Sequence, residues 1–148
     1  MSYNAIDIAH KILKKATEDD NGELITNMKL QKMLYYMQGF HLAFFDTPLF
    51  DEEIEAWMYG PVVPVVFEEY RQYGKSGIEY NDEVLILDQN DKEENLFNKV
   101  YDVYAKYSAY GLMDLTHNEK PWKITQHGKG CVIPKHLIKS YFKTRIRK

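Results

Sequence analysis

Cys131 is the only cysteine among 148 residues, so no internal disulfide can form and a reducing compartment suits the chain. No apolar run approaches the roughly 18 residues of a membrane span, and the opening MSYNAIDIAHKILKK lacks the apolar stretch of a signal peptide. Cytoplasmic localisation without a membrane partner is the expectation. Neither charge dominates: 19 Lys and Arg against 22 Asp and Glu leave a net charge of −3, which gives no general field for nucleic acid or an anionic surface. The motif of a serine nucleophile elbow is missing, as are a phosphate loop and a dinucleotide fingerprint. His10, His41, His117, His127 and His136 have no metal-ligand spacing. His127 and Cys131 stand four apart, but Gly128 and Gly130 between them argue against a helix. Val132 and Ile133 beside Cys131 are surroundings that leave a thiol inert. The carboxylate pairs Glu52-Glu53 and Glu68-Glu69 sit among solvated charges. The chain is therefore expected to have no catalytic residues, no metal and no cofactor.

What is present is an ordinary globular balance, 45% hydrophobic and 28% charged, over a length that suits one compact domain, 1–148. The compositional oddity is 12 Tyr and 7 Phe. Tyr packs a large ring and keeps a hydroxyl for a hydrogen bond, which serves a core edge or a partner interface equally.

The pattern predicts a mainly α fold of about six helices with a small two- or three-stranded β element. Ala5, Ile8, Ala9, Ile12, Leu13 and Ala16 make one stripe of a helix over 4–18, with Asp7, Lys11, Lys14 and Lys15 on the wet side. Thr26 or Asn27 caps a second helix that is apolar over so much of its circumference that it belongs at the centre. Gly39 within it suggests close approach of another backbone, and Asp46-Thr47-Pro48 ends it. Residues 52–59 alternate like a strand that stops at Gly60-Pro61, and a third helix starts at Pro64. VLILD, residues 84–88, reads as a short strand beside 52–59. A fourth helix is expected over 94–108, a short fifth over Leu112–Thr116, and a last one opened by Pro134 with Leu137, Ile138, Tyr141 and Phe142 on its apolar face. Tyr101, Tyr104, Tyr107 and Tyr110 step by three and so wrap around a helix, which leaves at least one ring exposed or bound elsewhere. From Lys135 onward only basic charges occur, with a basic tail from about 143. They suit a helix C-terminus and a solvated end, or else an acidic partner.

Two groups of polar residues carry the functional candidates. Lys29, Lys32 and Tyr36 fall near one side of the second helix, either as amines lying over rings or as a basic-aromatic patch for a protein partner. His117 either fixes a turn by donating to a backbone carbonyl or sits in a pocket beside Trp122, with Asp114 and Glu119 as the nearby acids.

The segments ITNMKLQKMLYYMQGFHLAF, PLFDEEIEAWMYGPVVPVVFEEY and LTHNEKPWK together resemble the Panacea-domain proteins, the SocA/GepA-like antitoxin family of bacteria and their phages. The leading DIAHKIL and the closing helix extend the likeness over nearly the whole chain. The resemblance implies a mainly helical fold with a small sheet, and an antitoxin of a toxin-antitoxin system, borne in some cases by a prophage. Its cognate toxin protein, co-encoded, would be neutralised by direct binding. The alternative it implies is an adaptor that delivers a partner to a cytosolic protease. Many members carry an added N-terminal DNA-binding domain. Here the likeness begins at once, so direct DNA binding is not expected. The homo-oligomeric state stays open. Carried onto this sequence, Leu30, Gln31, Tyr35, Trp57, Gly60, Pro61, Thr116, Pro121 and Trp122 are expected to build the fold. Lys29, Lys32, Tyr36, Tyr59 and His117 are expected to face a partner.

Overall fold

The structure is a computed structural model that describes residues 2–19, 24–80 and 87–146. Its order is α1 (Ala5–Glu18), α2 (Asn27–Phe45), β1 (Glu55–Trp57), β2 (Gly60–Val62), α3 (Pro64–Glu69), a 3-10 turn (Arg71–Tyr73), α4 (Asp91–Tyr104), α5 (Ala109–His117), α6 (Lys120–Lys123) and α7 (Lys135–Lys143). The fold is mainly helical with a two-stranded antiparallel sheet, as the sequence pattern indicates. None of these helices is long and apolar enough to cross a membrane.

α2 is the axis around which the other elements assemble. Thr26 caps it by accepting from the Lys29 amide at 3.2 Å, and Asp46 ends it in the left-handed conformation at φ 62°. Between these ends it packs against α1, α3, α4, α5, α7 and the hairpin, most extensively against α7. Leu30, Met33, Leu34, Tyr35, Tyr36, Met37, Leu42 and Ala43 are buried on all sides of it. The contact at Gly39 differs from the expectation. A ring, not a backbone, closes on it, for a Cβ there would lie 2.3 Å from Phe142. The same ring meets Tyr35 and Phe40 edge-on, at centroid distances of 5.3 and 4.9 Å.

α1 lays its predicted stripe on this core, with Ala5, Ile8, Ala9 and Ile12 fully buried. Lys11, expected on the wet side, is buried instead. Its ammonium bonds Gln89 and Glu94 and lies 4.4 Å from the centroid of Phe97. Neighbouring segments are tied by buried polar groups. Gln38 donates to Phe50 O and accepts from the Leu49 amide, both at 2.7 Å. His41 contacts Thr47 O and Glu93, each at 2.7 Å, and Tyr3 donates to Glu93 at 2.6 Å.

The largest departure from the sequence pattern is at Gly60-Pro61. These residues do not end a strand. They begin β2, which pairs with β1 in the register Glu55↔Val62, Ala56↔Pro61 and Trp57↔Gly60. Pro61 is tolerated because Ala56 turns its backbone to the other edge, donating to Cys131 O at 2.8 Å and accepting from Gly128 N at 2.7 Å. Residues 131–133 thus form an extended third segment, bridged at Glu55↔Val132. The strand expected over VLILD lies largely outside the described residues.

Asn90 caps α4 through the Glu93 amide, so that helix begins three residues earlier than the pattern indicates and stops at Tyr104, not 108. Ser108 caps α5 separately. The tyrosine ladder is broken accordingly: Tyr101 and Tyr104 are buried, while Tyr107 and Tyr110 are exposed. The basic closing helix is partly neutralised. Lys139 and Lys143 bond Asp46 at 3.0 and 2.9 Å and hold its carboxyl below the ordinary range, and Lys135 bonds Glu53 at 2.6 Å.

Candidate functional site

The N-terminal half of α2, the β1–β2 hairpin and the α5–α6 turn meet at one corner. Gln31 fixes the approach of the chain leaving β2, because its side-chain oxygen accepts from Val63 N at 2.8 Å and its amide donates to Asn27 at 2.8 Å. Asn27 in turn donates to Phe67 O at 3.1 Å. Gly60 is required by both geometry and space. Its φ is +118°, and a Cβ would stand 2.9 Å from Lys32 Cε and 3.0 Å from Thr116 Oγ1. Thr116 is fully buried and donates to Met113 O at 2.9 Å.

Glu119 stands just before α6 and receives Tyr35 at 3.0 Å and Tyr36 at 2.8 Å. Burial pushes its carboxyl pKa up while the two phenols pull it down. Burial, followed by the Glu119 charge, pushes both phenols well above their ordinary range. Tyr36 also stacks on Tyr104 at 3.8 Å.

Pro121 is buried at the start of α6, and Trp122 follows it. The Trp122 ring lies between His117 at 3.9 Å and His127 at 3.7 Å, nearly parallel to both. Its Nε1 donates to Trp57 O at 2.7 Å, which fastens the hairpin to α6. Trp57 itself is half-buried against Phe67 and bonds Glu55 at 2.8 Å. Burial and then the neighbouring Lys32 charge hold the His117 pKa below its ordinary value.

The side chains expected to face a partner separate here into two sets. Tyr59 is 65% exposed at the tip of the hairpin, next to Met58 at 69%. His117 is half-buried beneath that tip, stacked on Trp122 and hydrogen-bonded to the Met58 backbone. Lys32 and Tyr36 are buried to within 1% and cannot form an outward patch. The cause is that α2 is covered on every side at these positions, so sharing one side of the helix does not mean facing solvent. Lys32 donates to Met28 O at a long 3.5 Å, and burial lowers its pKa to about 8. Lys29 is turned toward the end of α4, where it donates to Ala105 O at 2.7 Å. Leu30, Gln31, Tyr35, Gly60, Pro61, Thr116, Pro121 and Trp122 are buried in the corner.

Two participants escape sequence reasoning. Glu119 was legible only as an acid near His117, and the structure gives it to the tyrosines. Met58 was hidden because Gly60-Pro61 looked like a stop, whereas a two-residue turn before a glycine of positive φ makes a hairpin tip. Among the described residues no group of three or more His, Cys, Asp and Glu converges as a metal site would require. The corner's carboxylate and its lysine are both enclosed. At the hairpin tip it offers the pair Met58-Tyr59 to solvent.

Residues 30–123 match the family model described as antitoxin SocA-like, Panacea domain. Antitoxin SocA of Caulobacter vibrioides (strain NA1000 / CB15N) is 29% identical over 143 residues, covering 87% of this chain and 73% of that protein. No solved structure matches the chain.

Proposed function

The chain belongs to the SocA-like Panacea-domain antitoxin family, and from that premise we propose that it neutralises a co-encoded toxin in the cytoplasm by direct protein contact through the hairpin corner. The supporting observation is that parts of all three segments that carry the sequence resemblance meet at this corner, enclose Lys32 and Glu119, and leave Met58 and Tyr59 projecting at 69% and 65% exposure. Tyr and Met are enriched where proteins bind one another. Backbone already fixed in a hairpin turn needs little further ordering on binding, which favours association. Tyr59 and Met58 would enter the partner's surface, and His117 would position the tip from beneath.

Coexpression with the product of the adjacent gene tests this. The wild-type chain relieves growth arrest and co-purifies with that product, while a Met58→Asp/Tyr59→Asp variant with an unchanged melting curve does neither. Arrest unrelieved by the wild type, with no complex, would refute the antitoxin reading. Full relief by the double variant would move the contact elsewhere on the chain. Relief accompanied by a shortened toxin half-life would favour delivery to a cytosolic protease over simple blocking.

A further inference from the structure

A second concave surface lies at the other end of α2. Phe40, Leu96, Val100 and Tyr104 form the floor of an open groove of about 520 Å³ between α2, α4 and the segment after α7. Phe44 and Val103 stand on its walls, 54% and 52% exposed. Large apolar side chains left open on facing helices mark an interaction site more often than chance surface. The rim is cationic. Lys92, Lys99 and Arg145 line the groove together with no carboxylate, and among the described residues none of the three has an ion pair.

We propose that this groove binds an acidic amphipathic helix of a protein partner. An apolar floor flanked by helical elements is what a further helix needs in order to pack. Lys92 and Lys99 are seven residues apart in α4, which places them on one face about 10 Å apart, a spacing that carboxylates at i and i+7 of a helix laid alongside reproduce. The apolar floor decides against a nucleic acid, because it offers a phosphate backbone nothing to bond. The groove opens beside Phe44, 12 residues and so about 18 Å along α2 from Lys32 at the hairpin corner. The inference rests on the proposed function only in taking the partner to be a protein, and it supplies a contact surface separate from Met58-Tyr59.

The test is a selection from a displayed library of amphipathic helices, made against the whole chain and counter-selected against a folded Phe44→Asp/Val103→Asp variant. Enriched helices should carry an apolar face flanked by Asp or Glu at a seven-residue interval. Binding of a purified member should fall at least tenfold with Lys99→Glu, and replacing its matching Glu by Lys should restore it. Enrichment of basic or uncharged helices overturns the proposal. So does the absence of any helix sensitive to the groove variant, or a labelled DNA duplex that binds in the helices' place and is lost with Lys99→Glu. The toxin takes no part in this selection. Its failure therefore leaves the antitoxin reading standing, and failed growth relief by the wild type leaves the groove result untouched.

Discussion

The N-terminal end of α2 meets its neighbours through polar groups that find partners inside the protein: Gln31 with Val63 and Asn27, Tyr35 and Tyr36 with Glu119, and Trp122 across to Trp57. The C-terminal end also has a buried polar tie to α4, His41 with Glu93, but on its other side it leaves apolar side chains open to solvent beneath a rim of cations with no ion pair among the described residues. One end is finished within the chain, apart from the two side chains at the hairpin tip. The other is not. Leu30, Gln31, Tyr35, Gly60, Pro61, Thr116, Pro121 and Trp122 are all buried at the finished end and hold it together.

If the corner is a rigid support, truncating its central ring should give the largest loss. Trp122→Ala removes a buried indole stacked on two imidazoles and its bond to Trp57. It should cost about 3–5 kcal/mol in denaturant unfolding, with the hairpin signals most disturbed by NMR.

Lys32 tests the same end by pH. Its folded pKa, about 8, lies below the value of an exposed lysine, so the unfolded chain binds more protons between the two. Relative to a Lys32→Met variant, wild-type stability should therefore rise by about 2 kcal/mol between pH 8 and 10. The difference is the quantity to read, because the buried tyrosines ionise first in the unfolded chain near pH 10 and lower the stability of both proteins alike. A difference that stays flat over this range would show that the ammonium is solvated and the corner looser than described.

Tyr36→Phe leaves one oxygen of the buried Glu119 carboxyl without its donor and should cost about 1.5 kcal/mol by urea unfolding. The smallest effect belongs to the other end. Phe44→Ser or Val103→Ser should change stability by no more than about 0.5 kcal/mol, since both side chains are already half in water. A loss of 2 kcal/mol or more there would erase the contrast and make the groove part of the core.

The sequence made α1 legible because its stripe is narrow and one face is wet, and it made α2 legible as central because no face is. That same completeness hid Lys32 and Tyr36. A helical wheel reports which residues share a side, but only packing reports whether that side is open, and lysine is buried so seldom that exposure is the natural assumption. The hairpin was illegible because Pro in a strand usually argues against one. Its tolerance depends on Ala56 sending its backbone to residues 128 and 131, about 70 positions away in sequence, which no local window contains. The groove was invisible for a related reason: Phe44, Val103 and Arg145 come together only once α2, α4 and the chain beyond α7 are assembled.

The seat of Phe142 over Gly39 bears on synthesis as well as on stability. The middle of α2 is made early, but the ring that covers it comes from α7, which a ribosome reaches some hundred residues later. Until then the helix that carries half of the corner has an open apolar flank, and a prematurely terminated chain lacks the piece that closes it. The packing around the middle of α2 is thus complete only in chains translated through α7.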